Sequence, residues 1–367
     1  MSNEEFGREM TRGDLLKRAG AAAAVMGLPM LRGAEALAAS EYDPYAAITS
    51  KEFVYANYGG KTEDARQSVF WDPFTQKTGV KIISAAANFP LAEKQMIGAS
   101  PPTYDGYHTS GYSIYAYNKH PKHVLPVAQQ VHKNDLLQAA IQPYGWQTFF
   151  IGYVIAYLPD TFKGAQPKTW ADFFDTTKFP GKRAWPGAGY YDGTAEAVLL
   201  GDGVAPSKLY PLDFTRANKK LETIRSDMLF YNQFPQVQQF LTSRSVAMAF
   251  GPNGLFAELQ LAGQPVQISF DHTIVTSNPS TTPPGAPHAD VAPALADWTA
   301  DPQRQAAFSK LTHYGPGNKG AFKYIDRTTL QQIPNGGAHP FVQTNDLVLA
   351  QHYDEYAKAN EQFFSKK

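Results

Sequence analysis

Residues 144–187 constrain the fold of this chain more than any other segment. An apolar run rich in β-branched and aromatic side chains covers residues 149–158, which is typical of a buried strand, and Pro159 ends it. Residues 169–175 then show aromatic side chains at helical spacing, and a second strand pattern begins at residue 183. A strand that leads out of one sheet towards another predicts a chain crossing between two α/β halves, although an ordinary α/β unit shows the same periodicity.

Length and composition limit the classes of protein that fit. At 367 residues the chain is long enough for two domains with cores of their own. Lys plus Arg and Asp plus Glu are balanced at 33 each, so no overall charge indicates nucleic acid as a partner. The absence of cysteine excludes disulfides, thiolate metal sites and a cysteine nucleophile. The 20 Tyr, 23 Phe and 5 Trp residues indicate aromatic rings in a ligand cleft as well as in the core.

Residues 1–39 are predicted to be an export signal. A basic patch precedes the apolar run of residues 19–31, which is too short to span a bilayer comfortably, and small residues follow it. Cleavage is expected after Ala38 or Ala39, and without a lipid-bearing cysteine the product is expected to be periplasmic and not lipid-anchored. The patch resembles a twin-arginine signal with Gly13 in place of the second arginine, which leaves the export route open. An Ala-rich helix of a cytosolic protein is the alternative.

The mature chain is predicted to open with a strand, a loop, a helix and a strand. Residues 52–56 and 80–83 have strand patterns, and the amphipathic residues 63–78 between them end at Gly79. Glycines in the loop of residues 57–61 allow the backbone to approach a ligand closely. Because ligands of such sheets bind at the carboxyl ends of the strands, this loop is a candidate site.

Five short motifs occur in the order seen in extracellular solute-binding proteins of ABC importers. They are Tyr58-Gly59-Gly60, FTQKTGV at residues 74–80, TWADF at 169–173, FPGK at 179–182 and YGPGN at 314–318. From about residue 52 onwards the chain resembles the spermidine/putrescine-binding, family 1-type group. The resemblance implies an α/β, periplasmic binding protein-like fold of type II, in which two crossing strands join two α/β lobes and the ligand lies in the cleft between them.

The resemblance also implies a domain organisation and a function. Residues 50–150 and 276–367 are assigned to lobe 1 and residues 151–275 to lobe 2. The protein is expected to capture a small organic solute, with a polyamine or another small amine favoured, and to deliver it to a membrane permease driven by an ATPase. A monomer without cofactor is expected. Enzymatic activity is not, because the sequence contains no nucleophile elbow, P-loop or pair of zinc-binding histidines on one helix.

Candidate ligand-binding residues come from the same resemblance. In this family four features lie at the ligand. They are the first loop, a Ser that is followed two residues later by a Tyr, an acid near the start of a helix, and an Asn-Gly loop. The matching residues are Tyr58, Gly59, Gly60, Ser110, Tyr112, Glu196 and Asn253, and Asp192, also a candidate, stands one residue earlier than the family's other acid. Structural roles remain open, because an Asp before a helix is a good cap and a Glu in its first turn favours the helix dipole. The tyrosines at 112, 115 and 117 fit a strand face or a helix equally well.

The chain departs from the polyamine binders at two places. Val275 and Ser277 stand where that group carries a Trp and an Asp that hold an amine, and residues 59–61 lack the acid of its first loop. These departures weaken the polyamine prediction, since a buried ammonium needs a carboxylate or several carbonyls to offset its desolvation. There are two alternative ligands. One is a small anion, such as a carboxylate or phosphonate, held by the glycine-rich turn of residues 187–193, and the other is a ferric ion held by tyrosines 190 and 191.

The remaining segments give local predictions. Helices are expected over residues 194–200, 209–224, 236–241, 290–298 and 302–312, with strands over 245–250 and 266–270 and a return crossing at 274–275. Residues 251–254 are predicted to form a loop, and the Pro-, Ser- and Thr-rich residues 277–287 a surface loop. His120, His123 and His132 are spaced too loosely to predict a metal site.

Overall fold

The structure is a computed structural model that describes residues 43–86, 101–117, 133–142 and 144–366. The predicted export signal of residues 1–39 lies outside the described residues, as do His120, His123 and His132. Among the described residues, none of the helices has the length and apolar character needed to cross a bilayer. The elements below belong to one compact unit, Asp43–Lys367.

One mixed sheet contains the ten strands found in the described residues. In chain order the strands are β1 (Glu52–Asn57), β2 (Lys81–Ala86), β3 (Gly106–His108), β4 (Trp146–Tyr157), β5 (Arg183–Pro186), β6 (Met228–Tyr231), β7 (Met248–Pro252), β8 (Gln267–Thr281), β9 (Gly315–Pro316) and β10 (Phe341–Gln343). Their spatial order is β2-β1-β3-β8-β4-β7-β5-β6, with β10 paired to β8 and β9 paired to β4.

Two long antiparallel strands, β4 and β8, divide the sheet into two parts. On one side β1 has parallel neighbours β2 and β3, and on the other β5 has parallel neighbours β6 and β7. Strand β4 pairs with β9 at Phe149 and Phe150 and with β7 from Tyr153 to Tyr157, so it passes from one part into the other. Strand β8 returns beside it. The predicted α/β fold with two lobes and two crossing strands is confirmed, whereas the lobe boundaries stay a prediction.

Thirteen α-helices lie in the described residues. They are α1 (Gly60–Arg66), α2 (Asp72–Thr78), α3 (Gly111–Tyr117), α4 (Trp170–Phe174), α5 (Thr194–Gly201), α6 (Phe214–Glu222), α7 (Phe234–Thr242), α8 (Asn253–Leu261), α9 (Ala292–Ala300), α10 (Pro302–Thr312), α11 (Arg327–Leu330), α12 (Asp346–Gln351) and α13 (Tyr353–Ser365). A π-helical segment, Gln67–Trp71, joins α1 to α2, and the predicted end of α2 at Gly79 is confirmed by its left-handed φ of 75°.

The largest apolar cluster draws on both lobes and on the strands between them. Trp71, Trp146 and Trp185 are the largest of its side chains that are at most 2% exposed. Trp185 packs on Phe250 with ring centres 4.6 Å apart. Most of the abundant aromatic residues therefore serve the core, because burying a ring removes a large apolar area from water.

The segment between the crossing strand β4 and the strand β5 is fixed by polar contacts at both ends. Thr169 Oγ1 accepts from the Asp172 backbone N–H at 3.2 Å, and Asp172 Oδ2 accepts from the Thr169 N–H at 3.0 Å, which together form a capping box at the start of α4. At the other end, the buried Arg183 guanidinium donates to the carbonyls of Phe173 and Phe179 at 2.9 and 2.5 Å. Burial lowers the pKa of Arg183 to about 10. Helix α4 is thus tied to the start of β5.

Thr169→Ala is expected to lower the free energy of unfolding by about 1 kcal/mol, because the first turn of α4 loses the side-chain acceptor of its cap. Urea denaturation of the two proteins measures the difference. Thr177→Ala is the matched control, since Thr177 is exposed on the loop that follows the same helix. Equal losses in both variants would show that the cap does not stabilise this segment.

The predicted surface loop over residues 277–287 is wrong for its first part. Residues 277–281 continue strand β8, and Ser277, Ser280 and Thr281 are at most 1% exposed. Pro279 is tolerated because it lies where the register between β4 and β8 shifts, a position at which a strand needs no donor. In this chain, a polar composition that is typical of a loop occurs in a buried crossing strand.

Two further element boundaries differ from the prediction. The loop predicted over residues 251–254 does not exist, since β7 extends through Pro252 and α8 begins at Asn253. The helix predicted from residue 209 begins only at Phe214, because the Asp213 side chain accepts from the Arg216 N–H at 2.9 Å and caps it there.

Candidate functional site

Loops that follow strands of both lobes meet in the structure. Ser110, after β3, donates its hydroxyl hydrogen bond to Asp192 Oδ2 at 2.7 Å, and Asp192 follows β5. The ring of Tyr58, after β1, lies edge-on to Phe234, after β6, with centres 6.2 Å apart. The carboxyl ends of parallel strands in the two lobes therefore face one another, which is where open α/β sheets bind ligands.

Three carboxyl groups from two distant parts of the chain form what we call the acid cluster: Asp192, Glu196 and Asp346. Asp192 precedes α5, Glu196 lies in its first turn, and Asp346 begins α12. Burial raises the pKa of Asp192 to about 6 and the pKa values of Glu196 and Asp346 to about 7. Repulsion adds to burial, because Asp192 raises the pKa of both other carboxyls. The acid cluster thus titrates near neutral pH.

Glu196 is the most deeply buried member of the acid cluster, with no exposed surface. Its Oε1 accepts a hydrogen bond from the Tyr210 hydroxyl at 2.5 Å. Its Oε2 is buried and has no hydrogen-bond partner in the described part of the chain. Because a desolvated carboxylate oxygen without a donor is costly, a positive or hydrogen-bond-donating group at this position would stabilise the ionised form of Glu196.

Asp346 was not predicted from the sequence. The Ser277 hydroxyl donates to its Oδ2, and the Thr344 hydroxyl donates to its Oδ1 at 3.2 Å. A Cβ at Gly111 would overlap the Asp346 carboxylate and the Ser277 hydroxyl, so this close approach requires glycine. The return strand β8 thus brings Ser277 into direct contact with the Asp346 carboxylate.

Aromatic side chains lie beside the acid cluster. Tyr112 stacks on Tyr353 at 5.9 Å between ring centres, and Tyr191 meets Tyr353 edge-on at 5.7 Å. The helical alternative for the segment around Tyr112 is correct, since it forms α3. Tyr58 is 49% exposed and contacts the His108 ring edge-on at 5.6 Å. These rings can cover the apolar part of a small ligand.

Gly59, Gly60 and Asn253 also have backbone conformations or contacts that stabilise the fold. Gly59 and Gly60 have φ values of 73° and 67°, which only glycine adopts at low cost. The buried Asn253 amide accepts from the Gly152 N–H at 3.0 Å and donates to the His313 and Gln332 carbonyls at 2.6 and 3.2 Å. Both N–H groups of this amide are therefore occupied by backbone, and a ligand contact by Asn253 stays a prediction.

The two alternative ligands find less support in the geometry. In the glycine-rich turn, the Gly187 N–H donates to the Tyr231 carbonyl at 2.8 Å and the Gly189 N–H donates to Asn360 Oδ1 at 3.1 Å, so neither is free for an anion. The Tyr190 hydroxyl donates to the Asn232 carbonyl at 2.8 Å. Across the described residues, no group of three or more His, Cys, Asp or Glu side chains is placed to hold a metal ion.

The contribution of Glu196 to stability must depend on pH. Its folded-state pKa of about 7 lies above the unfolded value of about 4.3, so between these values the folded state binds more protons and the contribution falls as pH rises. We expect the difference in unfolding free energy between wild type and Glu196→Gln to fall by about 1 to 3 kcal/mol from about pH 5 to about pH 7.5. Urea denaturation of the ligand-free proteins measures it. A constant or rising difference would contradict the raised pKa.

Comparison with known proteins decides the family. Residues 70–334 match the family model described as bacterial extracellular solute-binding protein. The chain belongs to this family. The solute-binding protein is similar to the gamma-aminobutyric acid-binding protein of Pseudomonas aeruginosa, with 25% identity over 328 residues that cover 87% of this chain and 92% of that protein.

Solved structures show the same relationship. A GABA receptor, Atu4243, is 29% identical with a TM-score of 0.75, and the match covers 86% of this chain and 98% of that one. An ABC transporter substrate-binding protein from Bradyrhizobium japonicum is 28% identical with a TM-score of 0.78, covering 86% of this chain and all, 100%, of that one. The solute-binding protein is therefore the non-enzymatic substrate-binding component of an ABC importer, which works with a permease and an ATPase. The predicted spermidine/putrescine group is not confirmed.

Proposed function

We propose that this solute-binding protein captures a small organic ammonium compound between its two lobes, with the acid cluster as the ammonium site. One observation carries the proposal: three desolvated carboxyl groups converge where the two lobes meet, and one of their oxygens, Glu196 Oε2, has no hydrogen-bond partner among the described residues. Burial raises the pKa of each group, repulsion by Asp192 raises the pKa of the other two further, and a cation bound beside them would lower all three values. An alkylammonium would supply both the charge and the N–H donors that the cluster lacks.

The surrounding residues fit a ligand of this kind. Ser110 orients Asp192, and the Tyr112 and Tyr353 rings lie close to the same region. Tyr58, with 49% of its surface exposed, is placed to cover the apolar part of the ligand. We retain Tyr58, Gly59, Gly60, Ser110, Tyr112, Asp192, Glu196 and Asn253 as proposed site residues and add Asp346.

The relatives support an ammonium ligand without specifying a polyamine. Two similar proteins are described as binding gamma-aminobutyric acid, whose amino group is cationic near neutral pH. A polyamine would need a second acidic site for its far end, and residues 59–61 supply none. A small compound with one ammonium group therefore fits the cleft better.

The remaining parts of the proposal concern organisation. We assign residues 50–150 and 276–367 to one lobe and 151–275 to the other, because β4 changes partners from β9 to β7 between Phe150 and Tyr153. The contacts of Ser110 with Asp192 and of Tyr58 with Phe234 would then be the ones that form on closure. The mature protein is proposed to act in the periplasm as a monomer.

A thermal-shift screen tests the proposed ligand class. Alkylamines, diamines and amino acids are compared at equal concentration with dicarboxylates, phosphonates and sugars that carry no ammonium group. Because a ligand that binds only the folded state raises its melting temperature, we expect shifts only from ammonium compounds. Shifts confined to compounds without an ammonium group would overturn the proposal.

A further inference from the structure

A buried guanidinium lies outside the acid cluster and has unused donors. Arg66, the last residue of α1, is 2% exposed. Its Nη1 is 3.5 Å from Glu63 Oε2, at the outer limit of a hydrogen bond. Its Nε and Nη2 have no hydrogen-bond partner within the described ranges of the chain. Leaving such donors buried and unpaired is costly unless a ligand uses them.

The neighbours of Arg66 do not balance its charge fully. Glu63 also accepts from Trp71 Nε1 at 3.0 Å and from the Ser84 hydroxyl, so its carboxylate is shared. The Arg66 guanidinium carbon lies 5.4 Å from the centre of the Phe149 ring, and the His108 ring stacks on Phe149 at 5.2 Å. His108 Nδ1 is likewise buried without a partner among the described residues. Burial and then the charge of Arg66 lower the pKa of His108, which keeps its ring neutral.

Aromatic residues connect this region to the acid cluster. The His108 ring meets the half-exposed Tyr58, which also contacts Phe234 of the opposite lobe. Burial raises the pKa of Tyr153. The charges of Asp192, Tyr58 and Tyr314 raise this pKa further. Arg66 in turn acts on Tyr314, where its charge opposes the rise in pKa caused by burial. Ring contacts thus lead from Arg66 through Phe149, His108 and Tyr58 to Phe234 of the opposite lobe, the lobe that carries Asp192.

We infer that Arg66, with His108 beside it, forms a carboxylate subsite, and that the ligand is a zwitterionic amino acid whose ammonium group occupies the acid cluster. The inference rests on the proposed function and narrows its ligand class. The Nε and Nη2 atoms present two parallel N–H donors, the pair with which a guanidinium binds a carboxylate bidentately. A carboxylate there satisfies both donors, whereas an alkylamine or a diamine leaves them unpaired.

Calorimetric titration with matched probes tests the subsite. The probes are the straight-chain ω-amino acids from glycine to 6-aminohexanoate and, for each, the alkylamine that lacks its carboxylate. Wild type is expected to bind the best amino acid roughly 30-fold or more tightly than the matching amine. Arg66→Gln is expected to remove that preference while leaving the affinity for the amine within roughly threefold, and Arg66→Lys should retain part of it.

Arg304→Gln is the matched control, because Arg304 packs over the Trp298 ring and pairs with Asp301 at 3.4 Å. It should leave both affinities unchanged. Equal binding of amines and amino acids by wild type, or an unchanged preference in a folded Arg66→Gln, overturns the carboxylate subsite while the ammonium proposal stands. The wild-type comparison decides the question even if Arg66→Gln does not fold. Failure of every ammonium probe to bind overturns the proposed function itself.

Discussion

Asp192→Asn is expected to weaken the binding of the best ammonium ligand by about 2 to 5 kcal/mol, the range for truncating one partner of a buried charge pair. The amide has nearly the shape of the carboxylate and can still accept from the Ser110 hydroxyl, which lies 2.7 Å from Asp192 Oδ2. The charge is therefore the main property that changes. Calorimetric titration of both proteins at about pH 7.5 gives the difference.

A matched control separates this effect from a general change in charge. Asp354 is exposed on α13 and lies outside the acid cluster, so Asp354→Asn should leave the affinity unchanged. Tighter binding by Asp192→Asn would mean that the ligand carries negative charge at this position, because the substitution would then have removed a like charge. That result would exclude an ammonium group at the acid cluster.

The affinity for an ammonium ligand is expected to rise roughly 10- to 100-fold from about pH 5.5 to about pH 7.5. The alkylammonium keeps its charge throughout this range, so the acid cluster is the group that titrates. The ligand-free pKa is about 6 for Asp192 and about 7 for Glu196 and Asp346. A bound cation favours the ionised carboxylates and lowers these values, and binding below them must therefore release protons.

Titrations in two buffers with different ionisation enthalpies count the released protons. We expect at least a large fraction of one proton to be released at about pH 6.5 and fewer at about pH 8. Glu196→Gln should reduce this number, since one of the titrating groups is gone. An affinity that does not change with pH, together with no proton release, would contradict a role for the acid cluster in binding the ammonium group.

The parts of the fold that follow local rules could be predicted from the sequence. Thr169 and Asp172 form the capping box of α4, because the residues that satisfy the first turn of a helix are close in sequence. Gly79 ends α2 in the left-handed conformation for the same kind of local reason. The crossing strand was predicted over residues 149–158 and lies at Trp146–Tyr157.

The buried polar part of β8 could not be predicted, because its side chains are satisfied by partners far away in the sequence. Ser280 shares a hydrogen bond of 2.7 Å with the Tyr55 hydroxyl, and Thr281 donates to the Tyr144 carbonyl at 2.7 Å. A run of Ser, Thr and Pro reads as a loop only when such partners are unknown. Tertiary hydrogen bonds here override the local composition.

The residues of the candidate site also divide into those that the sequence indicated and one, Asp346, that it did not. Asp192 and Glu196 were indicated by the resemblance and were equally compatible with helix capping, but in the structure neither side chain caps α5, and the two contact Ser110 and Tyr210. Asp346 carries no sequence signal of its own. Its place beside Ser277 depends on the return strand and on Gly111, which no local pattern reveals.

The most direct test of the ammonium site is to follow the carboxyl carbons of Glu196 and Asp346 by NMR during a pH titration, with and without the best ammonium ligand. The ligand-free protein should show midpoints near the pKa of about 7 for both groups. With saturating ligand we predict that both groups stay ionised well below that pH, because the bound ammonium stabilises their charge. Midpoints that do not move, or that rise, when the ligand is added would contradict the account.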